Sequence, residues 1–280
     1  YSKQTQDRVL AAVAQLGYVP NRIAGSLAST GSSLVAMVIP SLSNSVFADV
    51  LYGVGGALEA VHQQAVFAVT DYVPEREEAM VAAMLAWRPS AVMLAGLEHT
   101  DATTAMLRAR GCRVVELLDI DGPAIDMAVG YSNIEAGRAS ARHLIGCGYR
   151  NIGYIGHNLD HDTRATKRLT GFCEVLRDSG IALTDRELVA APSSVAGGVR
   201  ALGEMLGRTP DLDAVYFSND DIAIGGYFHC MAHGISVPSD MALFGFNGID
   251  IAAAAPQPLS TIRTPRAEIG RTAARLLLSL

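Results

Sequence analysis

From Ser33 onward the chain alternates short apolar runs with longer stretches in which apolar residues recur every three or four positions. The runs "LVAMVIP" (34–40), "AVFAVTD" (65–71), "AVMLAG" (91–96) and "RVVELLD" (113–119) have the length and apolar character of buried strands. Between them, "VFADVLYGVGGALEAVHQQ", "PEREEAMVAAMLAWR" and "DATTAMLRARG" read as helices. Pro74 suits a first helical position and Gly111 closes the third helix. After "IEAGRASARHLIGCGY" the alternation restarts, with strands at 151–157, 187–191, 213–219 and 241–247 and helices at roughly 164–179, 194–206 and 221–233. Near-continuous apolar strands suit a parallel sheet covered on both faces. Two such series of similar length predict an α/β protein of two Rossmann-like lobes, each a parallel sheet with flanking helices. Ligands of open α/β sheets bind beyond the carboxyl ends of the strands, so two lobes facing each other would enclose a cleft there.

The first thirty residues follow another plan. "TQDRVLAAVAQLG" places Val9, Val13 and Leu16 on one helical face, with Ser2 or Thr5 as cap and Gly17 as stop. Tyr18-Val19-Pro20-Asn21 is a turn, because the residue before a proline avoids the helix. "NRIAGSLAS" has room for one or two helical turns capped by Asn21. A helix that short, containing Gly25, is marginal alone and needs a partner.

Composition narrows the classes. Of 280 residues half are hydrophobic and 18% charged, enough for one large or two medium domains. No run of about eighteen apolar residues is present, so no membrane span is expected. No charged-then-apolar leader opens the sequence, which favours the cytoplasm. Cys112, Cys147, Cys173 and Cys230 match no zinc or CxxC spacing and read as reduced packing residues. A net charge of −6 argues against nucleic-acid binding by bulk electrostatics. Its distribution is uneven: Lys3, Arg8 and Arg22 against Asp7 give the first 35 residues +2, leaving −8 on the rest.

The opening "SKQTQDRVLAAVAQLGYVPNRIAGSLAS", followed by the two-lobed pattern, resembles the LacI family of transcriptional repressors over essentially the whole chain. The resemblance implies the third helix of a helix-turn-helix headpiece plus a hinge helix, followed by a periplasmic-binding-protein-like body. It implies operator DNA as a partner, a homodimer, and a hinge that folds when two copies pair in the minor groove. There Leu27 matches the inserted wedge, Ala24 and Ala28 the close approach of the paired helices, and Asn21 and Arg22 the phosphate neighbours. The implied division is 1–32 for the headpiece remnant and hinge, 33–131 plus 264–280 for one lobe, and 132–263 for the other. Within the family, "PSLSNSVFADVLYG", "VVELLD", "DMAVGYSNIEAGR" and "SNDDIAIG" are similar to gluconate-operon repressors, which implies a sugar-acid effector.

The same resemblance assigns cleft residues. In "KRLTGF", Arg168 matches the arginine that reaches the ligand, and a guanidinium suits a carboxylate through two parallel bonds. Arg164, one turn earlier, is a second cationic candidate. Asn219 matches a cleft asparagine, with helix capping as the other reading, a role for which Asp220 competes. Asn247 stands where many relatives carry an aspartate, a change that removes a charge repulsive to an anion. Ser43, Asn44 and Ser45 lie in the loop after the first strand. Phe47 is either a ligand-packing aromatic or core, and Asp119 matches a position that bonds sugar hydroxyls. Glu98 and His99 follow a strand end, where a solvated loop is the plainer reading.

Other chemistries find less support. "GVGGA" (53–57) has dinucleotide-loop glycines but falls inside a helix, about a dozen residues past its strand. His157, Asp160, His161 and Asp162 cluster without metal-ligand spacing, so neither a metal nor a cofactor is expected. No nucleophile–base–orienter trio can be assigned, so the expectation is a non-enzyme. The rivals are a periplasmic-type sugar-binding protein without a DNA role, and an α/β enzyme using the same cleft.

Overall fold

The computed structural model describes residues 2–17, 32–189 and 192–279. Positions 18–31, which include the hinge candidates Asn21, Arg22, Ala24, Leu27 and Ala28, lie outside the described residues. Helix α1 (Lys3–Leu16) belongs to a separate unit, residues 1–33. Of its two candidate caps Ser2 takes the role, its Oγ accepting the Thr5 amide at 3.3 Å, and Gly17 ends the helix at φ +58°.

Residues 34–280 form the second unit, built on two five-stranded sheets. The first comprises β1 (Leu34–Ile39), β2 (Gln64–Val69), β3 (Ala91–Ala95), β4 (Arg113–Leu117) and β5 (Met127–Val129), in the order β2-β1-β3-β4-β5. Its helices are α2 (Ser45–Glu59), α3 (Pro74–Ala86) and α4 (Asp101–Arg110). Helix α5 (Asn133–Gly146) then leads to β6 (Ile152–His157), α6 (Thr163–Asp178), β7 (Asp185–Val189), α7 (Val195–Arg208), β8 (Ala214–Phe217), α8 (Asp220–Ala232) and β9 (Ala242–Asn247). The short α9 (Asp250–Ala254), β10 (Ser260–Arg263) and α10 (Arg266–Leu278) complete the chain, and the second sheet repeats the first as β7-β6-β8-β9-β10. Every pairing is parallel.

The continuous apolar runs have a direct cause. Val35, Met37 and Ile39 of β1 enter one core with Phe47 and Val50 of α2 and Ala273 of α10. Ala36 and Val38, on the opposite face, meet Val81 and Leu85 of α3 and Leu107 of α4. Both faces are covered, so alternation disappears. The second sheet is buried in the same way, Ile155, Val215 and Phe217 on one side and Tyr154 and Tyr216 on the other. After β5 the chain builds the second sheet, and α10, which follows β10, packs back on α2 and β4.

The sequence pattern does not pick out β5, β10 or α9. They are short, and the two strands are half-buried or exposed edge pieces, "MAV" and "STIR", with little pattern to read. The strand placed at 187–191 runs two residues earlier, and the helix expected to reach 64 stops at Glu59. Gly53, inside α2, serves close helix packing: a Cβ there would overlap the carbonyl of Ala267 on α10.

Candidate functional site

In each sheet the chain moves outward in opposite directions from its first strand, so crevices open beyond β1/β3 and β6/β8. Loops from both lobes meet there. After β1, Asn44 caps α2, its Oδ1 accepting the Val46 amide at 3.0 Å, and Phe47 is buried one turn on. After β2, Asp71 and Tyr72 take positive φ values of 52° and 61°. On the other lobe Asp162 caps α6, accepting the Ala165 amide at 3.2 Å, and α6 presents Arg164, Lys167 and Arg168. Asn219 caps α8 through Oδ1, which accepts the Ile222 amide at 3.1 Å and the Ser193 hydroxyl at 3.0 Å. Asn247 ends β9 at φ +115°.

Six of the eight ligand candidates, Asn44, Phe47, Arg164, Arg168, Asn219 and Asn247, line one cavity of about 30 Å³ between the lobes. Ser43 lies on an adjoining cavity of about 240 Å³ that reaches His157 and Asp221. A third, of about 270 Å³, is bordered by Glu77, Glu98, His99 and Thr163. Tyr72 borders all three. Asp119 is fully buried, and its carboxylate turns to Lys167 at 2.6 Å. Phe47 is both core and cavity wall, and Asn219 is both helix cap and cavity wall.

The charges in this cavity are unevenly matched. Arg168 is 7% exposed; Nη1 donates to Asn133 Oδ1 at 2.8 Å and Nη2 to the Ser218 carbonyl at 3.1 Å, and the guanidinium lies 4.1 Å over Phe246. Among the described residues it makes no ion pair, and its Nε has no hydrogen-bond partner. Arg164, 8% exposed, lies 5.5 Å over Phe47; Asp162 is 3.9 Å away and Nη1 is unpartnered. Burial opposes the Arg164 charge, but the carboxylates of Asp162 and, less strongly, Asp119 favour it and hold it protonated. Burial pushes the Tyr72 and Tyr131 phenols up, so both stay neutral hydroxyls. The cavity is therefore a buried cationic socket with amides and hydroxyls around it, suited to an anion that also carries hydroxyl groups.

A glycine pair sets where Arg168 stands. A Cβ at Gly137 on α5 would overlap the Arg168 carbonyl, and one at Gly171 on α6 would overlap that of Ile134. Gly137→Ala is expected to push α6 outward and to cost about 1–3 kcal/mol. Urea unfolding measures this, and an unchanged midpoint would contradict the close contact.

His99 corrects the solvated-loop reading. Its side chain is 1% exposed, with Nδ1 2.7 Å from Glu77 and Nε2 3.4 Å from the fully buried Glu116, a charge contact outside hydrogen-bond geometry. Glu98 is half-exposed and accepts the Thr163 hydroxyl at 2.7 Å. No group of three or more His, Cys, Asp or Glu among the described residues is placed to hold a metal. All four cysteines are free thiols. Sequence reasoning missed Tyr72, Tyr131, Asn133 and Lys167, and met Asp162 only as part of a histidine–aspartate cluster. For Asp162 a signal existed, an aspartate three residues before Ala165 at a helix start.

Two parallel sheets of like order with a cationic socket between their carboxyl ends define a two-lobed small-molecule-binding body. Residues 32–280 match the family described as "Periplasmic binding proteins and sugar binding domain of LacI family". The chain belongs to the LacI family of transcriptional regulators. It is 35% identical over 272 residues to the HTH-type transcriptional regulator GntR of Escherichia coli K12, covering 97% of this chain and 81% of that protein. The regulator IdnR of the same strain is 32% identical, covering 99% and 83%. Among solved structures, a LacI family transcriptional regulator from Silicibacter pomeroyi superposes with a TM-score of 0.96 at 47% identity, covering 100% of this chain and 84% of that one. No described helix is long and apolar enough to cross a membrane.

Proposed function

We propose that this chain is the sensor body of a cytoplasmic repressor that takes gluconate or a related sugar acid between its lobes and thereby alters operator binding. One observation carries the reading: Arg168, buried and without a carboxylate partner among the described residues, beside Arg164, whose nearest described carboxylate is 3.9 Å away. A buried cation without a counter-ion is costly, and an entering carboxylate supplies one. Asn219, Asn247 and Asn44 offer amide groups to the hydroxyls of such an acid, and Asn247 adds no negative charge. Ser43 and Asp119 stand at the margins of the same cleft. The similarity to proteins named GntR supports gluconate in particular. No catalytic role is assigned to the cleft.

A cavity of about 30 Å³ is far smaller than a six-carbon acid, so the lobes must part to admit it. Effector binding is thereby tied to the interlobe angle. In this reading the lobes are 33–131 plus 264–280 and 132–263, joined through 1–32 to DNA, with Asn21, Arg22, Ala24, Leu27 and Ala28 at the hinge. By linkage, an effector that weakens operator binding binds more weakly to the DNA-bound form. A homodimer is supported by large exposed apolar side chains, Tyr52 and Phe67 on the first lobe and Phe228, Met231 and Ile251 on the second. The solved lac repressor, a relative by fold, is a dimer bound to operator.

Thermal unfolding against gluconate, ketogluconates, galactonate, glucuronate, ribose, glucose and purine bases tests the reading. A ligand at a hundred times its Kd stabilises by about 2.7 kcal/mol, a shift of several degrees. The expected result is a shift with sugar acids alone; a shift restricted to neutral sugars or purines would overturn it.

A further inference from the structure

Lys167 sits on α6 one residue before Arg168, yet its ammonium does not enter the small cavity. It lies between two carboxylates of the opposite lobe, 2.6 Å from Asp119 after β4 and 2.5 Å from Glu98 after β3. Thr163, one turn earlier on the same helix, donates its hydroxyl to the other Glu98 oxygen at 2.7 Å. Among the described residues no other ion pair runs from the ends of one sheet to the ends of the other.

The geometry points to Lys167 as a positioning residue that holds the cleft shut and cancels the Asp119 charge, so that an anion can be clamped by the two arginines. This rests on the cleft being the effector site, and it concerns how that site is closed.

The two halves of the contact differ. Asp119 is fully buried, and its second oxygen accepts the Asp121 amide at 3.0 Å. A carboxylate in that position requires a counter-charge, and Lys167 supplies it. Glu98 is half-exposed, so its attraction to Lys167 is screened by salt. Burial of Lys167 opposes its charge, but Asp119 and Glu98 outweigh this and keep it protonated.

Asp119 also acts on Arg164, whose charge it favours. Stripped of Lys167, Asp119 would present an uncancelled negative charge beside the arginines and repel a carboxylate ligand. Lys167 therefore acts on the effector through Asp119 and through closure, without touching the effector. The mutually unpartnered guanidinium atoms of Arg164 and Arg168 make the closed cavity costly when nothing offsets them. The cross-lobe contact offsets part of that cost.

The test is an interlobe distance read by electron–electron dipolar spectroscopy in the 280-residue chain, with spin-labelled unnatural amino acids at the exposed positions Glu75 and Arg177. The parent chain is expected to show mainly the short distance without any ligand. Lys167→Met is expected to move the closed-to-open ratio about tenfold toward open, the size of a close charge-pair coupling. Lys167→Arg is expected to restore it, and 1 M NaCl to move the parent chain toward Lys167→Met. Glu98→Gln leaves no buried charge unpaired, so it keeps the test open even if Lys167→Met fails to fold, and it must shift the ratio the same way.

An unchanged distance distribution in both Lys167→Met and Glu98→Gln would overturn the proposal. Gluconate is then added to each sample. If the variants open but gluconate moves none of the distances, the positioning role stands and the sugar-acid reading falls. If gluconate closes parent and variants alike from equal starting distributions, the positioning role falls and the effector reading stands.

Discussion

Arg168→Ala is expected to abolish the response to sugar acids while the chain remains folded. The guanidinium is buried, aimed at the cavity and free of ion pairs among the described residues, so its charge is available to a ligand carboxylate. Truncating one partner of a buried, hydrogen-bonded charge pair costs about 2–5 kcal/mol, which is roughly thirtyfold to several-thousandfold in Kd. The fold tolerates the change for a stated reason. It loses two neutral acceptors' partners, at Asn133 and Ser218, but it also sheds a buried charge that has no counter-ion among the described residues. Calorimetric titration with gluconate, alongside circular dichroism, reads both effects. Undiminished gluconate affinity in a folded Arg168→Ala chain would remove Arg168 from the site.

The second large effect concerns pH. Burial by itself would lower the His99 pKa, but the carboxylates of Glu116 and Glu77 outweigh it and raise the imidazole to about 9. A folded-state value above the ordinary 6.5 contributes stability that is fully present below about pH 6.5 and is lost as pH rises through about 9. The shift corresponds to roughly 3 kcal/mol, or about 6–12 °C in Tm for a body of this size. His99→Gln is therefore expected to be markedly less stable than the parent chain at pH 6. Its deficit should shrink between about pH 6.5 and 9, where the folded imidazolium keeps a proton that the unfolded chain has already released. Melting curves of the two proteins across that range decide the matter. Parallel curves would mean that His99 is not held charged by Glu116 and Glu77.

The parts legible in the sequence were those written locally. The runs at 34–40 and 91–96 carry their own burial on both faces, so they announced a covered parallel sheet. Arg168 was placed at the cleft by the resemblance of "KRLTGF" to the family's segment, and it does line the cavity. Lys167, its neighbour, was passed over because what matters about it is set by Asp119, 48 residues upstream, and Glu98, 69 upstream. Contacts across a cleft depend on how two lobes meet, and no period of 2 or 3.6 records that. His99 failed for a related reason: its partners come from α3 and from the middle of β4, where Glu116 interrupts an apolar run without changing its pattern. Tyr72 depends on two successive positive φ values after β2, which "TDYVP" does not advertise.

The most direct test of the account compares two ligands that differ at one carbon. Gluconate and glucitol share the same hydroxylated chain, but one ends in a carboxylate and the other in an alcohol. Calorimetric titration of each into this chain isolates the charge that the buried arginines are proposed to bind. Gluconate is expected to bind at least about a hundredfold more tightly, as for a desolvated charge pair. Equal affinity for the two, or tighter binding of the alcohol, would contradict it.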